Sequence, residues 1–341
     1  METRSGAKSE GDGHVGHRNK RYLLTLTLYQ CASAFKRLGL KIPPREFFDE
    51  VERELVEMIG ANFSGSPVNV EEIPFDDLCD EIVAMANQAR QIHPDAVVLT
   101  TSPLIAYEAG GMCIHLNRMV NFNGDIIGIG PRPGHPSLDH QIRAAHDKPI
   151  IIIEDGAFSG SSLKFVLNCF PNENIVSIVL GIIFPKAKQL LESSYNGQLL
   201  YHVDSDDTDL VDWMPTHDFF PFVPNSGLVV GSQMGRNCFP YYLYNHASIA
   251  MPYILPYGLP DKWASLRGER EELAKFSASC IQLTRKIFGE MERLNNKPIT
   301  IADIVCSNPR TSIPVSNGQN DFSELSESVL DVLSGDLQFL S

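Results

Sequence analysis

The chain has 341 residues, 43% hydrophobic and 21% charged, enough for a full core in one large domain or two small ones. Its net charge is −14 and its isoelectric point about 5.1, and Lys and Arg cluster only at residues 18–21, which argues against a basic nucleic-acid-binding face. The expected partner is a small molecule, with no nucleic acid and no membrane; an anionic ligand must be held locally, by backbone N–H groups or Mg²⁺.

Residues 1–20 are rich in Gly, Ser and charge and hold no apolar stretch of the secretory kind, so a disordered N-terminus on a soluble, cytoplasmic protein is expected. Residues 21–91 read as a helical N-terminal region. A first helix is predicted over residues 21–38. A second, opened by Pro43 and Pro44, covers residues 45–59 with Phe47, Phe48, Val51, Leu55, Val56 and Ile59 on one face. A loop holding Gly65 and Pro67 leads to a third over residues 75–91. No chemistry is visible there, and the region fits a helical cap or a homodimer surface.

At residue 95 the character changes. Short β-branched runs at 96–101, 125–130, 149–155, 175–184 and 227–231 read as strands, and residues 104–119, 160–170 and 186–194 as helices between them. Near-continuous apolar strands alternating with helices predict an α/β fold, a parallel sheet flanked by helices, over residues 92–235. Residues 236–305 form a helical C-terminal extension, strongest over 261–294. Residues 306–341 are Ser-, Asn- and Pro-rich, then acidic and amphipathic, and read as a tail that is mobile or docks on a partner. The seven cysteines are scattered without a CxxC pair, which argues against a disulfide framework or a zinc site.

The chemistry concentrates at residues 150–162, IIIIEDGAFSGSS. Four isoleucines make a buried strand that ends on two carboxylates, Glu154 and Asp155. Gly156 and Ala157 follow, then a tight turn through Ser159, Gly160, Ser161 and Ser162 into a helix. Ligands of open α/β sheets bind outside the carboxyl ends of the strands, where this motif falls. The turn can aim N–H groups, hydroxyls and a helix N-terminus at an anion, and the acids can accept hydrogen bonds from a vicinal diol. Phosphate and diol recognition side by side suit ribose 5-phosphate. A plain strand–turn–helix junction with a surface acid pair is the alternative.

This stretch resembles the thirteen-residue motif of the type I phosphoribosyltransferases: four apolar residues, two acids, then a small-residue loop. The resemblance implies Glu154 and Asp155 on the ribose hydroxyls, as the catalytic pair and as indirect Mg²⁺ ligands through the substrate. It implies Ala157, Phe158, Ser159, Gly160, Ser161 and Ser162 around the 5′-phosphate. Phe158 departs from the pattern, standing where some members place a proton-exchanging Asp near the base. In the same family the loop after the first strand touches pyrophosphate; here that loop is Thr100, Thr101 and Ser102. The Gly-, Pro-, His- and Arg-rich residues 130–148 match in position a flexible loop that closes over pyrophosphate, with Arg132, His135, His140 and Arg143 as neutralising groups. Trp213, Phe219 and Phe220 can stack a planar base, and His217 and Asp218 can hydrogen-bond to it; aromatic residues are also common core.

Two functions follow. One is an enzyme transferring ribose 5-phosphate from phosphoribosyl pyrophosphate to a nitrogenous base with Mg²⁺. The other is a non-catalytic regulator or defence-system component that senses a phosphoribosyl compound or nucleotide. Catalysis needs room for Mg²⁺–pyrophosphate between residues 100–102 and the acid pair; a filled site favours the sensor.

Overall fold

The computed structural model describes residues 20–63, 68–205, 209–242, 247–310 and 324–341. The chain opens with β1 (Lys20–Leu26), α1 (Leu28–Ala32), a 3₁₀ helix (Ser33–Leu38), α2 (Arg45–Asn62), β2 (Val68–Pro74) and α3 (Phe75–Ile92). Next come β3 (Val97–Thr100), α4 (Pro103–Ala109), β4 (Met112–Cys113), β5 (Leu116–Val120), β6 (Ile126–Pro131) and α5 (Leu138–Arg143). Then follow β7 (Ile150–Ala157), α6 (Ser161–Leu167), β8 (Ile175–Ile183), α7 (Pro185–Ser194), β9 (Gln198–Asp204) and β10 (Leu210–Pro215). The chain closes with β11 (Leu228–Met234), β12 (Asn237–Pro240), β13 (Ser248–Met251), α8 (Pro260–Trp263), α9 (Arg270–Asn295), α10 (Ile301–Ile304), β14 (Cys306–Ser307) and α11 (Val329–Leu340).

The fold is α/β, with parallel sheets flanked by helices. The central sheet has five strands in the order β4-β3-β7-β8-β9, all parallel. Its middle strand explains the isoleucine run. Ile150 and Ile152 face a core built with Leu163, Val166, Ala187 and Leu191 of α6 and α7, and Ile151 and Ile153 face Leu78, Ile82 and Ala86 of α3. A strand covered on both faces must be apolar at every position. A three-stranded parallel sheet, β10-β1-β2, lies beside it, and a mixed sheet runs β14-β13-β11-β5-β6, with β12 on β11. The largest core joins Tyr22 and Leu24 of β1, the buried stripe of α2, β11, β13, α9 and α11.

Several expectations are corrected. The predicted helix over residues 21–38 begins as β1, sandwiched between β2 and β10. An apolar run buried by two neighbouring strands carries no period that separates it from a helix. The N-terminal region is therefore not all helical, and β2 occupies residues read as loop, although Gly65 and Pro67 lie outside the described residues. The helix predicted over 104–119 stops at Ala109, because Gly110 takes the left-handed conformation that ends it. The strand read at 125–130 belongs to the antiparallel β5–β6 pair, outside the central sheet. The tail is docked over residues 324–341: Val329 and Leu333 are fully buried, and Asp336 accepts hydrogen bonds from Tyr257 and Arg310. Residues 311–323 lie outside the described residues, as does the expected disorder at 1–19. No described helix is long and apolar enough to cross a membrane.

Candidate functional site

The order of the central sheet locates the site. The chain enters at β3, steps outward to β4, and later returns on the other side of β3 to β7, β8 and β9. The direction of winding reverses between β3 and β7, and the crevice beyond the carboxyl ends of such a pair is where open α/β sheets bind ligands. Thr100 pairs with Ile153, so Thr101 and Glu154 are the first residues past the paired stretch.

Glu154 closes that crevice rather than lining it freely. Its carboxylate accepts hydrogen bonds from the Thr101 N–H at 2.5 Å and the Thr101 hydroxyl at 2.8 Å. Burial first, then the neighbouring charge of Asp155, pushes its pKa up to about 8, against the pull of the Thr101 bonds and Arg132. Asp155 is half-buried and accepts from the Gly156 N–H at 2.9 Å; burial raises its pKa too, and Arg132 opposes the rise. The Ser102 N–H donates to the Thr100 hydroxyl at 3.0 Å, which shapes the facing loop.

The turn after the acids has two glycines with distinct reasons. A Cβ on Gly156 would lie 2.6 Å from Cη2 of Trp213 and 2.9 Å from the Ile182 carbonyl oxygen. Gly160 has φ +71°, the left-handed conformation, and caps α6. The Ser159 and Ser161 hydroxyls are hydrogen-bonded at 2.9 Å, which orders the turn and commits one of their two protons. Phe158 stands between, 45% exposed.

Arg132 reaches toward the acids from the end of β6. Its Nε donates to the Leu116 carbonyl at 3.0 Å and its guanidinium to the Asn225 side-chain oxygen at 2.7 Å, so neither bond is to a carboxylate. Its field is felt at Glu154, Asp155, His217 and both His115 and His135. His115 and His135 stack at 3.6 Å, nearly parallel. Burial, then the charge of His135 and Arg132, lowers His115 to about 4, and burial and Arg132 lower His135. Burial and Arg132 thus disfavour the charged form of His135. His140 and Arg143 are exposed on α5, and the segment is tied back by Gln141, which accepts from the His115 N–H at 2.7 Å.

The aromatic residues divide. Phe219 and Phe220 are fully buried in the main core, so Phe220 cannot meet a base. Trp213 is at the site: its indole N–H donates to the Thr25 hydroxyl at 2.8 Å and its ring covers Gly156. His217 shares a hydrogen bond of 2.8 Å with the Thr27 hydroxyl, and Asp218 accepts from the Gly227 N–H, so both face partners inside the protein. Thr25, Thr27 and Asn225 carried no signal in the sequence. Glu52 did: it falls on the apolar stripe of α2 with Phe48, Val51, Leu55 and Ile59. It accepts from the Leu28 N–H at 2.9 Å and from Thr216, and burial raises it to about 7.

Among the described residues no three His, Cys, Asp or Glu side chains are grouped to hold a metal ion. Of the acid pair, Asp155 is the carboxylate not bonded to the facing loop and could serve as a single oxygen ligand to a cation. Near α3 a separate cleft of about 430 Å³ is lined by Glu72, Asp77, Asp80 and Glu81, whose charge opposes a phosphate.

No family model matches the chain, and no curated protein matches it. The crystal structure of TT1426 from Thermus thermophilus is similar over 37% of this chain and 83% of that one, at 14% identity and a TM-score of 0.25. A likeness at that level bears on neither fold nor function.

Proposed function

We propose that this chain is a phosphoribosyltransferase-like protein that binds phosphoribosyl pyrophosphate or a nucleotide at the β3–β7 crevice. The observation that carries the proposal is the acid pair Glu154 and Asp155 at the switch point of a parallel sheet, followed directly by the Gly156–Gly160 turn. In this reading the ribose diol meets Asp155, the 5′-phosphate meets the turn at residues 159–162, and Arg132 offsets ligand charge. Transfer to a nitrogenous base, with Mg²⁺ bridging the pyrophosphate, is the activity assigned to it. The protein's part would be to position the ribose and neutralise charge.

One observation favours the sensing role instead. Both carboxylate oxygens of Glu154 accept hydrogen bonds from Thr101, so this acid is committed to a tie between the two loops rather than to a ligand. Thermal shift across phosphoribosyl pyrophosphate, ribose 5-phosphate and nucleoside monophosphates, each with and without Mg²⁺, tests binding. Assay of pyrophosphate release with a panel of bases then tests transfer. Stabilisation without release favours the sensor; no stabilisation by any phosphoribosyl compound overturns the proposal.

A further inference from the structure

Phe158 is out of place by ordinary packing. It is a large apolar side chain, nearly half exposed, three residues past Asp155, where a loop of small residues would bury nothing. Singly exposed aromatics are common and need no explanation. This one is braced from beneath. Its ring meets Phe184 edge-on at 5.2 Å and 69°, and Phe184 meets Trp213 at 5.6 Å and 33°. Trp213 is itself fixed, by its N–H bond to Thr25 and by close contact with Gly156. Phe184 is buried, held through its N–H to the Ala157 carbonyl at 3.2 Å. A braced ladder of three rings thus runs from the interior of the site to one ring exposed to solvent.

We propose that Phe158 is the platform on which a planar heteroaromatic base rests, so that the preferred ligand is a nucleoside 5′-monophosphate. This rests on the phosphoribosyl reading above and goes beyond it in naming the base platform and the ligand class. Of the two rings expected to stack a base, Phe220 is fully buried, and Trp213 is fixed by its bond to Thr25 with its ring edge against Gly156. A phenyl face is indifferent to the base's hydrogen-bonding edge, so stacking here gives affinity for bases as a class. Phe158 has no proton to exchange and assists no chemistry at the ring. Its brace also costs the ligand little, since Phe184 limits the ring's freedom before binding.

The test is calorimetry with ribose 5-phosphate, AMP and UMP on the full chain, the Phe158→Ala variant and the Phe158→Trp variant. The parent is expected to bind the better of the two nucleotides at least tenfold more tightly than ribose 5-phosphate. Phe158→Ala should erase that difference, leaving ribose 5-phosphate within twofold of its parental affinity, and Phe158→Trp should keep it. Ribose 5-phosphate binding with no gain for either nucleotide overturns the stacking role alone. Equal loss for sugar and nucleotide in Phe158→Ala, with the melting temperature unchanged, also overturns it, since the ring would then shape the phosphate turn. Failure of ribose 5-phosphate and both nucleotides to bind the parent overturns the phosphoribosyl reading and this proposal together.

Discussion

At the scale of single residues, Glu154 is the most informative side chain. Its pKa stands near 8 in the fold against 4.5 ordinarily. Below about pH 4.5 folded and unfolded chains both hold the proton, and the group contributes nothing to pH dependence. Between 4.5 and 8 the unfolded chain releases the proton while the folded chain keeps it, so stability falls as pH rises through that window. Glu154→Gln removes the titration and keeps the size. Its melting temperature should rise relative to the parent as pH goes from 5 to 8; a constant difference across that range would show that Glu154 ionises normally. Asp155 gives a binding prediction. A hydrogen bond to a charged acceptor contributes roughly 1.5–3 kcal/mol, so Asp155→Asn should weaken ribose 5-phosphate by about that much at pH 8. Inorganic phosphate, which has no diol, should be affected far less; equal losses would remove the diol role. Both acids are legible in the sequence, because carboxylates ending an apolar strand are costly without partners. What Glu154 bonds to is not legible, since Thr101 lies at the end of another strand and only the register of β3 on β7 brings the two together.

At the scale of elements, legibility follows periodicity. The helices α2 and α3 and the strands β7 and β8 can be read nearly to their ends, each carrying a clear stripe or a doubly buried run. The strand β2 escapes such reading because it is half-exposed, and its charged Glu71 pairs with Arg21 of β1. Phe220 misleads for a related reason: a Pro-rich aromatic segment gives no period, and only tertiary contact tells a ligand wall from a core. The helix α11 makes the sharpest element-level prediction. Its buried Leu333 packs in the main core, and its buried Asp336 is bonded by Tyr257 and Arg310. Leu333→Ala should therefore destabilise the chain by about 2–5 kcal/mol in chemical denaturation. A loss at the level of an ordinary surface substitution, under about 0.5 kcal/mol, would mean that the C-terminal helix is peripheral after all.

At the scale of the whole molecule, the division drawn from composition fails to separate folding units. The boundary at residue 92 cuts between α3 and the sheet it covers: Leu78, Ile82 and Ala86 form one face of the core beneath Ile151 and Ile153. The boundary at 235 parts β11 from β12 and β13, with which it pairs. Residues 92–235 alone would also leave β10 without β1. We expect that fragment to be insoluble or to lack a cooperative melt, while the full chain unfolds without a separately melting 92–235 unit. A fragment with a sharp transition of its own would restore the separate-domain view.

The position of β1 also has a consequence in time. Arg21 lies opposite Leu210, so once β1 has left the ribosome it cannot be enclosed until more than half of these 341 residues have followed it. Through that interval one edge of an apolar strand stays open, with its backbone groups free to pair with whatever is near. Contacts so distant in sequence form slowly. Synthesis rate and chaperone supply, rather than final stability, would then govern how much of this protein reaches its native form.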